Sequence, residues 1–166
     1  MKQKGKKLEE FKEIARGFID QVIKIGPKKD RATVVGLYGN LGAGKTTFTQ
    51  EVARGLGIKE RVISPTFVIM KRLKISNRLY ELRKITKVRI NKFENLIHID
   101  AYRLKNEKEL EKIGWGDLIG DPKNLILIEW PEMVLNILPK DHICIYLEHV
   151  SEHERGVEIH HKGHKK

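Results

Sequence analysis

The sequence predicts an α/β fold of three layers, with a mainly parallel central sheet that carries antiparallel edge strands. Three observations lead there. The runs ATVVGLY, NLIHID and NLILIEW are apolar without alternation, as suits strands buried on both faces of a parallel sheet. Segments with apolar residues at three- and four-residue intervals lie between or before them, as expected of covering helices. HICIYLEHV and GVEIHH read as a terminal strand pair. A chain of 166 residues fits one domain with a sizeable core.

In chain order, Leu8, Phe11, Ala15, Phe18 and Val22 mark an amphipathic first helix over about residues 7–25, stopped by Gly26-Pro27. ATVVGLY follows as a buried strand, then a glycine loop, then a helix from Lys45 on the spacing of Phe48, Val52 and Leu56, closed by Gly55 and Gly57. ISPTFVIMKRLKI is expected to be a strand after a Ser-Pro turn, and RLYELRKITKVRINKFE to form one or two edge strands of a basic hairpin. NLIHID is a short strand ending on Asp100. Asn106 with Glu109 gives a capping-box signal for a helix ending near Gly114. NLILIEW ends on Glu129 and is broken by Pro131, Pro139-Lys140-Asp141 makes a turn, and residues 162–166 form a frayed tail.

Composition narrows the setting. The longest run without Asp, Glu, Lys or Arg is thirteen residues, 32–44, short of the roughly 18 to 20 that a spanning helix needs. The basic N-terminus is followed by no apolar h-region, so no secretory signal is expected, and a single cysteine, Cys144, suits a reducing cytoplasm and a core position. Net charge is +11, and residues 71–94 hold nine Lys or Arg against two Glu, which is 9 − 2 = +7 of that excess. Such localisation suits either an acidic partner or a solvated, charged hairpin.

The chemistry centres on GLYGNLGAGKTT. Gly39, four residues, then Gly44-Lys45-Thr46 matches the phosphate-binding pattern G-x-x-x-x-G-K-[ST]. Glycines let backbone N–H groups curl round phosphate oxygens, Lys45 reaches the β and γ phosphates, and the Thr46 hydroxyl suits a Mg²⁺ ligand. Chance alone would place these four residue types in about one chain in 200 of this length. The required strand before and helix after make the match more specific. Asp100 and Glu129, each ending an apolar strand, are candidates for the acid that holds the metal directly or through water. Thr66, in SPTF, stands where a switch threonine could sense the γ-phosphate, or where turn chemistry beside Pro65 would place one.

GNLGAGKTT, SPTF, HIDAYRL and IEWPE, in that order, resemble the TsaE (YjeE) family of bacterial tRNA-modification ATPases, over roughly residues 8–163. The resemblance implies a P-loop NTPase-like fold and a Mg²⁺-dependent ATPase, slow alone, that works with TsaB and TsaD in making threonylcarbamoyladenosine beside the tRNA anticodon. It implies that Gly39, Asn40, Leu41, Gly42, Ala43, Gly44, Lys45, Thr46 and Thr47 hold the ATP phosphates. Thr46 and Glu129 would hold Mg²⁺, Asp100 would position water or the metal shell, and Thr66 would be the switch. Lys45, Asp100, Glu129 and Thr66 are thus the expected catalytic set. Trp130 would lie near the nucleotide or a partner surface, and Arg155 resembles a C-terminal family arginine that approaches the nucleotide. His98 reads as a buried, hydrogen-bonded residue rather than a base, since hydrolysis on such loops rests on positioning and electrostatics.

The chain departs from the family pattern in two places. The first helix, LEEFKEIARG, has no Thr to meet adenine, and the basic segment 71–94 replaces a shorter hairpin and could add a contact to tRNA phosphate. Two other readings share parts of the site. A small-molecule kinase would need an arginine lid, for which Arg72, Arg78, Arg83 and Arg89 are available. A basic RNA-binding module would use nucleotide only as a structural ligand. His160, His161 and His164 read as part of a mobile His/Lys end rather than a metal site.

Overall fold

A computed structural model of the chain describes residues 2–65, 68–76 and 93–160. Seven strands form one sheet in the order β1-β7-β6-β2-β5-β4-β3, where β1 is Lys2–Lys7, β2 Thr33–Tyr38, β3 Met70–Lys74, β4 Asn95–Asp100, β5 Asn124–Glu129, β6 Ile143–His149 and β7 Glu154–His160. β2 runs parallel to both β5 and β6, and β4 parallel to β5. β3, β7 and β1 pair antiparallel at the two edges, so the expected mixed sheet is the one observed.

Three strands whose apolar runs do not alternate, β2, β4 and β5, are buried at every residue, which requires cover on both faces. One face packs on α1 (Leu8–Ile25) and α2 (Lys45–Gly55) through Phe11, Phe18, Phe48, Val35, Leu37, Leu96, Leu125 and Leu127. The other packs on α3 (Glu107–Lys112), α4 (Trp115–Gly120) and a 3-10 segment, Pro131–Ile137, through Val34, Ile97, Ile99, Ile126, Ile128, Leu110, Trp115 and Val134. Alternate residues of each central strand thus serve opposite layers. On the first face the apolar series turns polar from His98 in the middle of β4 to Asp100 at its end, and at Glu129 at the end of β5.

Several elements differ from expectation. β3 is shorter than ISPTFVIMKRLKI suggested, because Pro65 O accepts from the N–H groups of Val68 and Ile69 and Ile69 takes φ 64°, a tight turn before the strand. The helix after Asn106 ends at Lys112, and a further helix, α4, starts after Gly114 in the left-handed region. Asn106 Oδ1 caps the Lys108 N–H at 3.1 Å, while Glu109 reaches back to the Lys105 N–H at 2.9 Å rather than to Asn106 itself. β1 pairs with β7 although its sequence shows no apolar pattern. Most of the expected basic hairpin, 77–92, and the tail, 162–166, lie outside the described residues.

Asp141 ties the α1–β2 connection to the turn before β6, accepting from Lys28 Nζ at 2.6 Å and from Arg31 Nη2 at 2.9 Å on both oxygens. The Lys28 hydrogen bond, ahead of the Arg31 contacts, holds its carboxyl below the usual carboxylate range. The folded pKa is depressed, so the stabilisation is present above the unfolded value and lost as pH falls through the folded one. Asp141 is exposed, so Asp141→Asn is expected to cost at most about 1 kcal/mol at neutral pH. In urea denaturation the difference should begin to shrink as pH falls below about 4, vanish only once pH is below the depressed folded value, and shrink in high salt. A constant difference down to pH 2 would contradict the ion-pair account.

Candidate functional site

The glycine loop leaves β2 after Tyr38 and enters α2 at Lys45. Gly39 takes φ 139°, and a Cβ there would stand 2.2 Å from the Leu147 carbonyl oxygen of β6, so no side chain fits. Gly44 takes φ 99°, and a Cβ there would meet Phe11 Cζ at 3.2 Å. The Asn40 carbonyl accepts from Ala43 N, which closes the turn. α2 begins with no side-chain cap and no acid in its first turn. Gly44, Lys45, Thr46 and Thr47 line a cavity, so the uncapped start of α2, with its leading N–H groups and the positive end of its dipole, opens on it, the arrangement that suits an anion.

Lys45 curls back over this loop. Its Nζ donates to Gly39 O at 2.7 Å and Asn40 O at 2.9 Å and sits 3.8 Å from the centre of the Trp130 ring. Burial pulls the Lys45 ammonium pKa down, while Glu129, Glu132 and Asp100 push it back up. Trp130 lies over Lys45 because its backbone takes φ 58°, ψ 49°, with its N–H on Leu37 O and its carbonyl receiving Met133 N. Tyr102 packs on the indole at 4.9 Å between ring centres.

The carboxylates approach from the parallel strands. Asp100 and Glu129 are register partners at the ends of β4 and β5, and both are buried. Glu129 accepts from Thr46 Oγ1 at 3.0 and 3.2 Å on its two oxygens and lies 2.8 Å from His98 Nε2. Asp100 accepts from Ser64 Oγ at 2.7 Å and from Tyr102 N at 3.0 Å. The Thr46 hydroxyl thus faces Glu129, not Asp100. Two carboxylates and a hydroxyl beside a loop that suits an anion form a hard-oxygen donor set that fits Mg²⁺.

Lys45, Thr46, Thr47, Gly42, Gly44, Asp100, Glu129, Trp130 and Arg155 line one cavity of about 420 Å³. The structure therefore brings together residues drawn from β2–α2, β4, β5 and β7. Leu41 stands at the exposed loop tip, and Arg155 is at the rim with its Nη1 donating to Ser151 O and Glu154 O. Ala43 is buried beneath the loop. Thr66 lies outside the described residues. Ser64, Leu8, Phe11 and Tyr102 also line the cavity without having been singled out as site residues, and the SPTF motif was a signal for Ser64.

A phosphate-type loop between the first parallel strand and its helix, with carboxylates ending the parallel strand beside it, β5, and the next one out, β4, defines an α/β protein with the P-loop NTPase type of fold. The model of a family described as threonylcarbamoyl adenosine biosynthesis protein TsaE matches residues 6–157, and the chain belongs to that family. It is 30% identical over 142 residues to the tRNA threonylcarbamoyladenosine biosynthesis protein TsaE of Haemophilus influenzae, covering 86% of this chain and 77% of that protein. Against the Rickettsia felis protein of the same name the identity is 34%, over 74% of this chain and 61% of that protein. The fold is similar to the crystal structure of Bacillus subtilis YdiB, with a TM-score of 0.63 and 26% identity, over 98% of this chain and 86% of that one. No helix among the described residues is long and apolar enough to cross a membrane.

Proposed function

We propose that this protein is a Mg²⁺-dependent ATPase of tRNA threonylcarbamoyladenosine synthesis, acting in the cytoplasm with TsaB and TsaD to support their turnover. The observation that carries the reading is the convergence of Thr46 and Glu129, 3.0 Å apart, with Asp100 beside the uncapped start of α2. Gly39, Asn40, Leu41, Gly42, Ala43, Gly44 and Thr47 form the phosphate cradle with Lys45, whose ammonium offsets charge on the γ-phosphate. Thr46 and Glu129 would hold Mg²⁺, which supplies Lewis-acid stabilisation of phosphate oxygens. Asp100, steadied by Ser64 and Tyr102 N, orients the attacking water, and Thr66 is the switch residue. Trp130 and Arg155 flank the nucleotide. Lys and Arg of the 71–94 segment suit a salt-dependent contact to tRNA phosphates.

Phosphate release from ATP tests this reading. Wild type is expected to be slow alone, as P-loop sites completed by a partner are, and faster with TsaB and TsaD. Asp100→Ala and Glu129→Ala should each lose about 10²-fold or more in the stimulated rate. Fast turnover alone, with no response to TsaB–TsaD, would overturn the partner-gated scheme. Turnover that needs an added small-molecule acceptor would favour a kinase.

A further inference from the structure

An imidazole inside a sheet has to find a hydrogen-bond partner there, because a buried polar group left unmatched is costly. His98 is in the middle of β4 and is fully buried, at 0% exposure. It pairs in register with Leu127 of β5, so Glu129, two residues further along the same face, is its diagonal neighbour. A carboxylate accepts and does not donate, so the 2.8 Å contact assigns the proton to His98 Nε2, which donates to Glu129 Oε1. His98 Nδ1 has no partner among the described residues. The Glu129 carboxylate is thus gripped from two elements: Thr46 Oγ1 at the start of α2 and His98 Nε2 in β4.

We infer that His98 is a positioning residue that fixes the Glu129 carboxylate in the orientation needed to hold a divalent cation with Thr46. This rests on the proposed Mg²⁺ reading of Thr46 and Glu129. His98 is absent from the cavity lining, so it touches neither nucleotide nor water there and acts through Glu129 alone. Hydrogen-bonded partners of metal ligands hold them in a binding geometry, and their loss weakens metal affinity about 10- to 100-fold.

Mn²⁺ titration of the full chain with ADP, followed by electron paramagnetic resonance, tests the role alongside metal-free melting temperatures. His98→Leu keeps an apolar filling and is expected to fold yet bind Mn²⁺ at least about tenfold more weakly. His98→Gln, whose amide reaches about as far as Nε2, should stay within about threefold of wild type, and His98→Asn, whose amide stops short, should behave like Leu. Wild-type affinity in His98→Leu, or equal loss in the Gln and Asn variants, overturns the positioning role. Glu129→Gln separates the two levels. Its loss of Mn²⁺ with none in His98→Leu rejects the His98 inference only, whereas wild-type binding by Glu129→Gln rejects the metal reading and this inference with it.

Discussion

Lys45→Ala is expected to lower ATP turnover by about 10²- to 10³-fold at saturating ATP, the usual effect of removing one preorganised charge donor from a transition state. The protein should survive the change. Lys45 is the first residue of α2, where Ala is a good helix former, and its ammonium is a buried charge whose pKa burial lowers, so its loss removes a desolvation cost. The carbonyls that it leaves belong to a half-buried Gly39 and an exposed Asn40, so water can meet them. Turnover measured beside the melting temperature checks both halves. Turnover within tenfold of wild type would show that Lys45 does not carry the γ-phosphate charge, and a collapsed melting temperature would show that it is mainly a structural clamp.

The second large effect is on the fold. Gly39→Ala places a methyl group 2.2 Å from Leu147 O and forces an L residue to φ 139°. Both atoms belong to backbones locked by pairing, since β2 and β6 are hydrogen-bonded neighbours up to Tyr38 and Tyr146. Relief requires parting the two strands, so the expected loss is on the order of 3–5 kcal/mol. Gly42→Ala is the control: its φ of 78° is also left-handed, but nothing lies within 4 Å, so the cost should be about 1–2 kcal/mol of backbone strain. Urea denaturation of the two variants separates steric contact from strain. Equal losses would show that the approach to Leu147 contributes nothing.

How far the chain could be read in advance depended on how local each determinant is. The 3,4-spacing of Phe11, Ala15, Phe18 and Val22 located α1 to within one residue, because those side chains all face one buried seam. β2, β4 and β5 were legible from unbroken apolar runs, and the loop from its fixed spacing. β1 was not, since an edge strand held by backbone pairing to β7 needs no apolar pattern. α4 was missed because six residues after Gly114 carry too few turns for a periodic signal. At the site, sequence placed both Asp100 and Glu129 at strand ends but could not rank them. The side chain facing Thr46 is settled by the packing of α2 on the sheet, a tertiary fact. Trp130 over Lys45 was equally hidden, because its left-handed backbone depends on capture by Leu37 O, far away in the chain.

The contacts of Lys45 also bear on affinity. With two carbonyl acceptors and an aromatic face, its ammonium is well served by the protein itself. On the proposed ATP reading, an incoming phosphate would not add an interaction to a free cation but would take Lys45 away from a tethered rival, and only the difference would count toward binding. The loop backbone acts as a built-in competitor, present at a fixed local concentration. On that reading a ligand with a single weakly placed charge would gain little from the exchange, whereas a polyphosphate that met Lys45 and the α2 N–H groups together would gain more.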